Sequence, residues 1–182
     1  MKRTIINPAE LAGAALDELK QWLAITTPGD DAALTALLRV ALEIGEAFTG
    51  QMPLAALCEE VWPAGQRWQA LATRPVQAIT GIEGIPAEGA RFSLAPGDYE
   101  IELEADGSAQ FRILRPAAAV RVAVRFTAGM AAEWADLPEA IRHGVVRLAA
   151  HHYRQRDLAA ASPEPPAAVA ALWRPWRRMR LT

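Results

Sequence analysis

Three histidines, one cysteine, three serines and a row of alternating carboxylates are the groups through which this chain could do chemistry. His143, His151 and His152 fall in one helix-like stretch, where neighbouring residues point about 100° apart. Neither that adjacency nor the eight-residue gap from His143 to His151 gives the i, i+4 pair that turns two imidazoles onto one metal. Cys58 stands alone, which excludes an intramolecular disulfide and any multi-cysteine zinc site. Ser93, Ser108 and Ser162 lie in strand-like or proline-rich contexts without a nucleophile elbow. Gly81, Gly84 and Gly89 have the wrong spacing for a phosphate loop, and no Lys-Ser/Thr pair follows them. Asp98, Glu100, Glu102 and Glu104 alternate with Tyr99, Ile101 and Leu103, as on any strand with one face in water. The reading is therefore no catalytic residue, no metal site and no cofactor.

What remains to be explained is organisation. At 182 residues and 52% hydrophobic content the chain can bury a core. No apolar run approaches the roughly 20 residues of a membrane helix, and Met1-Lys2-Arg3 is not followed by a signal core, so the expectation is a soluble, unsecreted protein with no membrane partner. Leu11, Leu16, Leu19 and Leu23 predict a helix over 8–25. Leu34, Leu37, Leu38, Ala41, Ile44 and Phe48 predict a second over 30–49, with Asp30 or Asp31 at its start and Gly50 at its end. Leu137, Ile141, Val145, Leu148, Ala149 and His152 form the stripe of a third over 137–156, where His152 reads as a core or interface histidine with one hydrogen bond.

Between the helices lies a β-rich part, 60–127. The acidic row, the Asp106-Gly107 turn, Phe111 to Ile113, and Val120, Val122, Val124 and Phe126 with Arg121 and Arg125 outward describe three strands of a small antiparallel sheet. If these strands pair, Glu100, Glu102 and Glu104 meet arginines across the ladder. The expected fold is thus α+β, a helical bundle with a small antiparallel sheet inserted in its middle. It makes one domain over 1–160, followed by a proline-rich hinge and basic arm over 161–182 that includes a short helix from Ala167 to Leu172.

Charge is asymmetric. Residues 1–136 carry 11 basic and 18 acidic side chains, a balance of −7, whereas residues 137–182 carry 8 and 3, a balance of +5. The arm concentrates the excess: Trp173, Arg174, Trp176, Arg177, Arg178 and Arg180 set two tryptophans among four arginines. That mixture suits a protein interface, a self-packed tail or, third, a nucleic-acid surface, since no recognition motif accompanies the charge. A nucleic-acid-binding accessory protein using this tail is the alternative reading.

The order of short blocks resembles a known family. Leu19-Lys20-Gln21-Trp22-Leu23, Asp30-Asp31 and Glu46-Ala47-Phe48-Thr49-Gly50 resemble the N-terminal signature of head-tail connector (adaptor) proteins of long-tailed bacteriophages and gene transfer agents. Arg74-Pro75-Val76-Gln77-Ala78-Ile79, Gly97-Asp98-Tyr99, Phe126-Thr127-Ala128-Gly129, Leu137-Pro138-Glu139-Ala140-Ile141-Arg142 and Ala150-His151-His152-Tyr153-Arg154 continue it in the same order. Relatives often carry a large apolar residue where this chain has His152. The resemblance implies a non-enzymatic virion protein of the particle neck, made in the bacterial cytoplasm. It also implies a twelvefold ring of copies binding the portal protein on one side and a head-closure (stopper) or tail-side neck protein on the other, with DNA passing through without sequence-specific binding. It maps the arm, Trp173 to Arg180, onto portal binding. The oppositely charged faces, Glu100, Glu102 and Glu104 against Arg121, Arg125, Arg147 and Arg154, become candidate subunit interfaces.

Overall fold

The computed structural model describes residues 2–11, 13–155 and 164–177. The chain is α+β, with antiparallel sheets and four α-helices among the described residues. It divides into two compact units, one of residues 1–8 and 55–129, the other of residues 9–54 and 130–182. Where the sequence suggests one domain with a trailing arm, the described part of the arm instead belongs to the second unit.

The first unit is all β. A five-stranded sheet runs in the order β1 (Lys2–Asn7), β2 (Ala56–Pro63), β8 (Ala119–Ala128), β4 (Val76–Pro86) and β5 (Phe92–Ser93). A three-stranded sheet runs β3 (Gln69–Ala70), β7 (Ala109–Ile113), β6 (Tyr99–Leu103). Trp62 of β2 meets Phe111 of β7 edge-on at 6.2 Å, so the two sheets share a core. Val122, Val124 and Phe126 of β8 and Phe111 and Ile113 of β7 are fully buried in it.

Two expectations fail here. The strands read as one sheet are split: β6 pairs with β7 through the turn at Gly107 (φ 79°), but β8 lies between β2 and β4 in the other sheet. Arg121 and Arg125 therefore never face the acidic row across a ladder. Second, Ile101 and Leu103 are not inward but 36% and 49% exposed, and Val120 is 58% exposed. β6 is an edge strand with little covering either face. The N-terminal residues, read only as lacking a signal core, form β1 instead, pairing Lys2 with Val61 through Asn7 with Leu57.

The second unit is helical. α1 spans Ala14–Leu23, α2 Asp31–Thr49, α3 Glu139–Arg154 and α4 Ala167–Trp173. α1 starts six residues later than its apolar spacing suggests, because Gly13 takes φ 92°, a left-handed value that no α-helix can pass through. α2 follows the sequence closely, and Gly50 closes it with φ 73° and an amide donated to the Glu46 carbonyl at 2.8 Å. Leu16, Leu19, Leu34, Leu38, Ile141, Val145 and Leu148 supply the core, which Val169 and Trp173 complete from α4. Polar tethers hold the helices together. Trp134 Nε1 donates to Glu18 at 2.8 Å, Tyr153 to Asp30 at 2.7 Å and Lys20 to Asp31 at 2.7 Å. No helix among the described residues is long and apolar enough to cross a membrane.

Candidate partner-docking surfaces

The arm is the first surface to test. Trp173 ends α4 on its apolar side and is wholly buried, its Nε1 donating to the Ile141 carbonyl at 3.3 Å. The indole lies in a slot left by two glycines: a Cβ on Gly144 would meet Trp173 Cε2 at 2.7 Å, and one on Gly45 would touch Cη2 at 3.4 Å. Phe48 closes the slot, with its ring centroid 6.1 Å from that of Trp173. The expectation that Trp173 binds a partner is therefore corrected: it is a core residue, since the α4 turn points it between the glycine faces of α2 and α3. Trp176 is half-buried against the same core, and its carbonyl accepts from Gln51 Nε2 at 2.6 Å. Arg174 and Arg177 remain exposed, Arg177 with its guanidinium 5.6 Å from the Phe48 ring centroid. Arg178 and Arg180 lie outside the described residues. The exposed arm thus shrinks to its arginines, mounted on a fixed base.

The candidate interface charges separate in the same way. Glu100 is taken by Arg112 of the neighbouring strand at 2.6 Å, and that guanidinium also stacks 4.8 Å over Trp68. Glu104 accepts from Gln110 at 3.0 Å. Arg125 binds Glu59 at 3.2 Å and Glu83 at 3.1 Å, and Arg91 binds Glu59 at 2.9 Å, so two acids and two bases neutralise one another on one sheet face. Glu102 and Arg121 are exposed with no polar partner among the described residues. Arg147, half-buried, and Arg154, exposed, line a cleft of about 200 Å³ together with Trp22, His151 and the start of α4.

The histidines are not brought to one site. His143 packs edge-on against Trp22 at 5.2 Å, and His151 and His152 contact ring to ring at 5.9 Å. His152 Nε2 is buried with no hydrogen-bond partner among the described residues, where the sequence suggests one. Burial, and secondarily the charge of His151, holds its pKa below the ordinary value of 6.5. Cys58 is fully buried, and no group of three His, Cys, Asp or Glu side chains among the described residues is placed to hold a metal ion.

One polar centre escaped the sequence reading. Glu60 sits on the inward face of β2 opposite Val124, with no exposed surface. Its carboxylate accepts from Thr73 N at 3.0 Å, Thr73 Oγ1 at 2.7 Å, Ala72 N at 3.2 Å and Trp62 Nε1 at 3.1 Å. Four donors around one acid staple Ala72 and Thr73 to the sheet. The only sequence signal is the alternation Ala56, Cys58, Glu60, Trp62, which puts an acid in an apolar series.

No protein-family model matches the sequence, and no curated protein matches it. Solved structures do. A chain from the neck of the empty gene transfer agent particle, computed with C6 symmetry, superposes with a TM-score of 0.80 at 24% identity. Chains from the native particle's neck, computed with C12 symmetry, and from its virion give 0.78 and 0.75, each at 26% identity. This chain is similar to particle-neck chains. In all three the likeness covers 100% of this chain and 98% of the other, so it extends to both units and to the tail.

Proposed function

We propose that this chain is a structural subunit of a particle neck, where copies form a ring that joins the portal to the downstream neck and tail components. The observation that carries the reading is the end-to-end likeness to a chain of the native gene transfer agent neck, 98% of whose length is matched. It works by surface contact and is not an enzyme. The symmetry under which those necks were computed is consistent with a ring. The two-unit build suits such a role, since separate surfaces can serve neighbours within the ring and partners above and below it.

The portal-binding part of the arm is assigned to the exposed cations Arg174 and Arg177 with Arg178 and Arg180 beyond them, while Trp173 and Trp176 fix where that segment starts. Truncation after Pro166 is no clean test, because it removes Val169 and Trp173 from the core. Truncation after Arg177 is. The full chain is expected to co-purify with the portal protein of its own particle, and the truncated chain carrying R174E and R177E to lose that binding while keeping its helical signal. Undiminished portal binding would refute the arm assignment. Retained binding to DNA with strong salt dependence, and none to the portal, would favour the nucleic-acid alternative.

A further inference from the structure

Several charged side chains of the helical unit have a partner. Arg142 reaches Glu18 at 3.4 Å, and Lys20 holds Asp31. Arg147 and Arg154 differ. They project from one side of α3 into the cleft shared with Trp22 and the Pro166 to Val169 stretch, and neither finds a carboxylate among the described residues. His151 lines the same cleft, and its ring meets that of His152. The result is a concave patch with basic walls and an apolar floor, in which Trp22 is 44% exposed.

The β unit presents the opposite. β6 is the outer strand of its sheet, so one edge of its backbone has no ladder partner among the described residues. Ile101 and Leu103 stand exposed, and Glu102 between them has no partner among the described residues, whereas Asp98 pairs with Arg115 at 3.6 Å and Glu100 and Glu104 are held by Arg112 and Gln110. This edge joins one unpartnered acid to exposed apolar side chains.

We propose that the β6 edge of one copy docks edge-on in the Arg147–Arg154 cleft of the next, so that Glu102 on one face of the strand meets the guanidiniums and Leu103 on the other face meets Trp22 and Pro166. The inference rests on the ring reading and deepens it by naming the lateral contact. Its argument is complementarity of charge and of apolar surface: each patch joins exposed apolar area to one unpartnered sign of charge, and the signs are opposite. Because the two patches lie at different places on the same chain, the contact is head-to-tail, the kind that closes into a ring when the rotation allows. The apolar floor favours an acidic peptide edge over a bare phosphate backbone. The internally neutralised Glu59, Glu83, Arg91 and Arg125 set is left out of the interface.

The test uses the full chain in sedimentation experiments over a range of concentration at low salt. E102R and R154E alter an exposed side chain each, and circular dichroism checks that both remain folded. The wild type is expected to self-associate, and each single variant to associate about tenfold or more weakly. An equimolar mixture of the two variants should regain association, because the reversed edge of one meets the reversed cleft of the other, and the native edge and cleft meet at the next contact. R147E should behave as R154E does. Association of the single variants at wild-type strength, or a mixture no better than its parts, overturns the proposal. So does a wild type that stays monomeric at every concentration. Loss of DNA binding in R154E with self-association intact assigns the cleft to nucleic acid instead and also overturns it. The ring reading is judged separately, by whether the chain is found in particle necks.

Discussion

Replacing Gly144 by alanine sets two effects of opposite sign against each other. Gly144 lies inside α3, where alanine is favoured over glycine by about 0.5–1 kcal/mol through the smaller backbone entropy it loses on folding. Against this, the new methyl would sit 2.7 Å from Trp173 Cε2 and closer still to Nε1. The indole cannot retreat freely, being held by its bond to Ile141, by Gly45 behind it and by Phe48. Overpacking of this kind costs about 1–3 kcal/mol. G144A should therefore destabilise the intact chain by roughly 1–2 kcal/mol, the clash outweighing the propensity. W173A alone should cost about 3–5 kcal/mol as a large buried aromatic is lost. The informative variant is the double one: with the indole gone the clash vanishes, and G144A should now stabilise by about 0.5–1 kcal/mol relative to W173A. Urea unfolding of the four proteins, followed by far-ultraviolet circular dichroism, measures the cycle. A G144A change that stabilises the wild type, or that has the same sign in both backgrounds, would refute the seating of Trp173 between α2 and α3, and with it the claim that the tail is anchored at its base.

Three further outcomes are expected. E60A strips the acceptor from four donors, two of them backbone amides, and should destabilise the chain by about 3 kcal/mol or more; a loss under 1 kcal/mol by chemical denaturation would contradict the staple. His152 has a folded-state pKa below its unfolded value of 6.5, so the unfolded chain takes up the proton first. Stability should hold above pH 6.5 and fall as the pH drops from there through the lower folded value; H152L should flatten this slope and raise stability, and an unchanged pH profile would count against it. R125A, at the partly exposed centre of the sheet-face ion network, should cost no more than about 1 kcal/mol in the same denaturation assay, and a larger loss would mean the network bears on folding.

How much of this the sequence discloses depends on the range of the forces involved. α2 and α3 are legible because their apolar residues recur with the helical period and local signals end them, and alternation finds β6, β7 and β8 as strands. Pairing is another matter. β8 joins β2 and β4, with paired residues 33 to 72 positions apart (Pro86 with Ala119, Ala56 with Ala128), and nothing in its own Val-Arg alternation distinguishes them from the nearer β6. The exposure of Ile101 and Leu103 follows from that topology, since β6 ends as an edge, and so does the pairing of Arg125 with Glu59 and Glu83. Glu60 is hidden for the same reason: only the arrival of Thr73 and Ala72, brought by the fold, makes an inward acid tolerable. In the tail, a run of arginines masked the burial of Trp173. The glycines that receive it, Gly45 and Gly144, look in sequence like weak points of two helices and become a slot only when those helices pack.

Where the chain resides in the particle decides the ring reading. Cryo-electron microscopy of the neck of the particle encoded with this chain should show copies of its two-unit fold arranged in a ring between portal and tail. A neck fully accounted for by other chains, with this one absent from the particle, would contradict it.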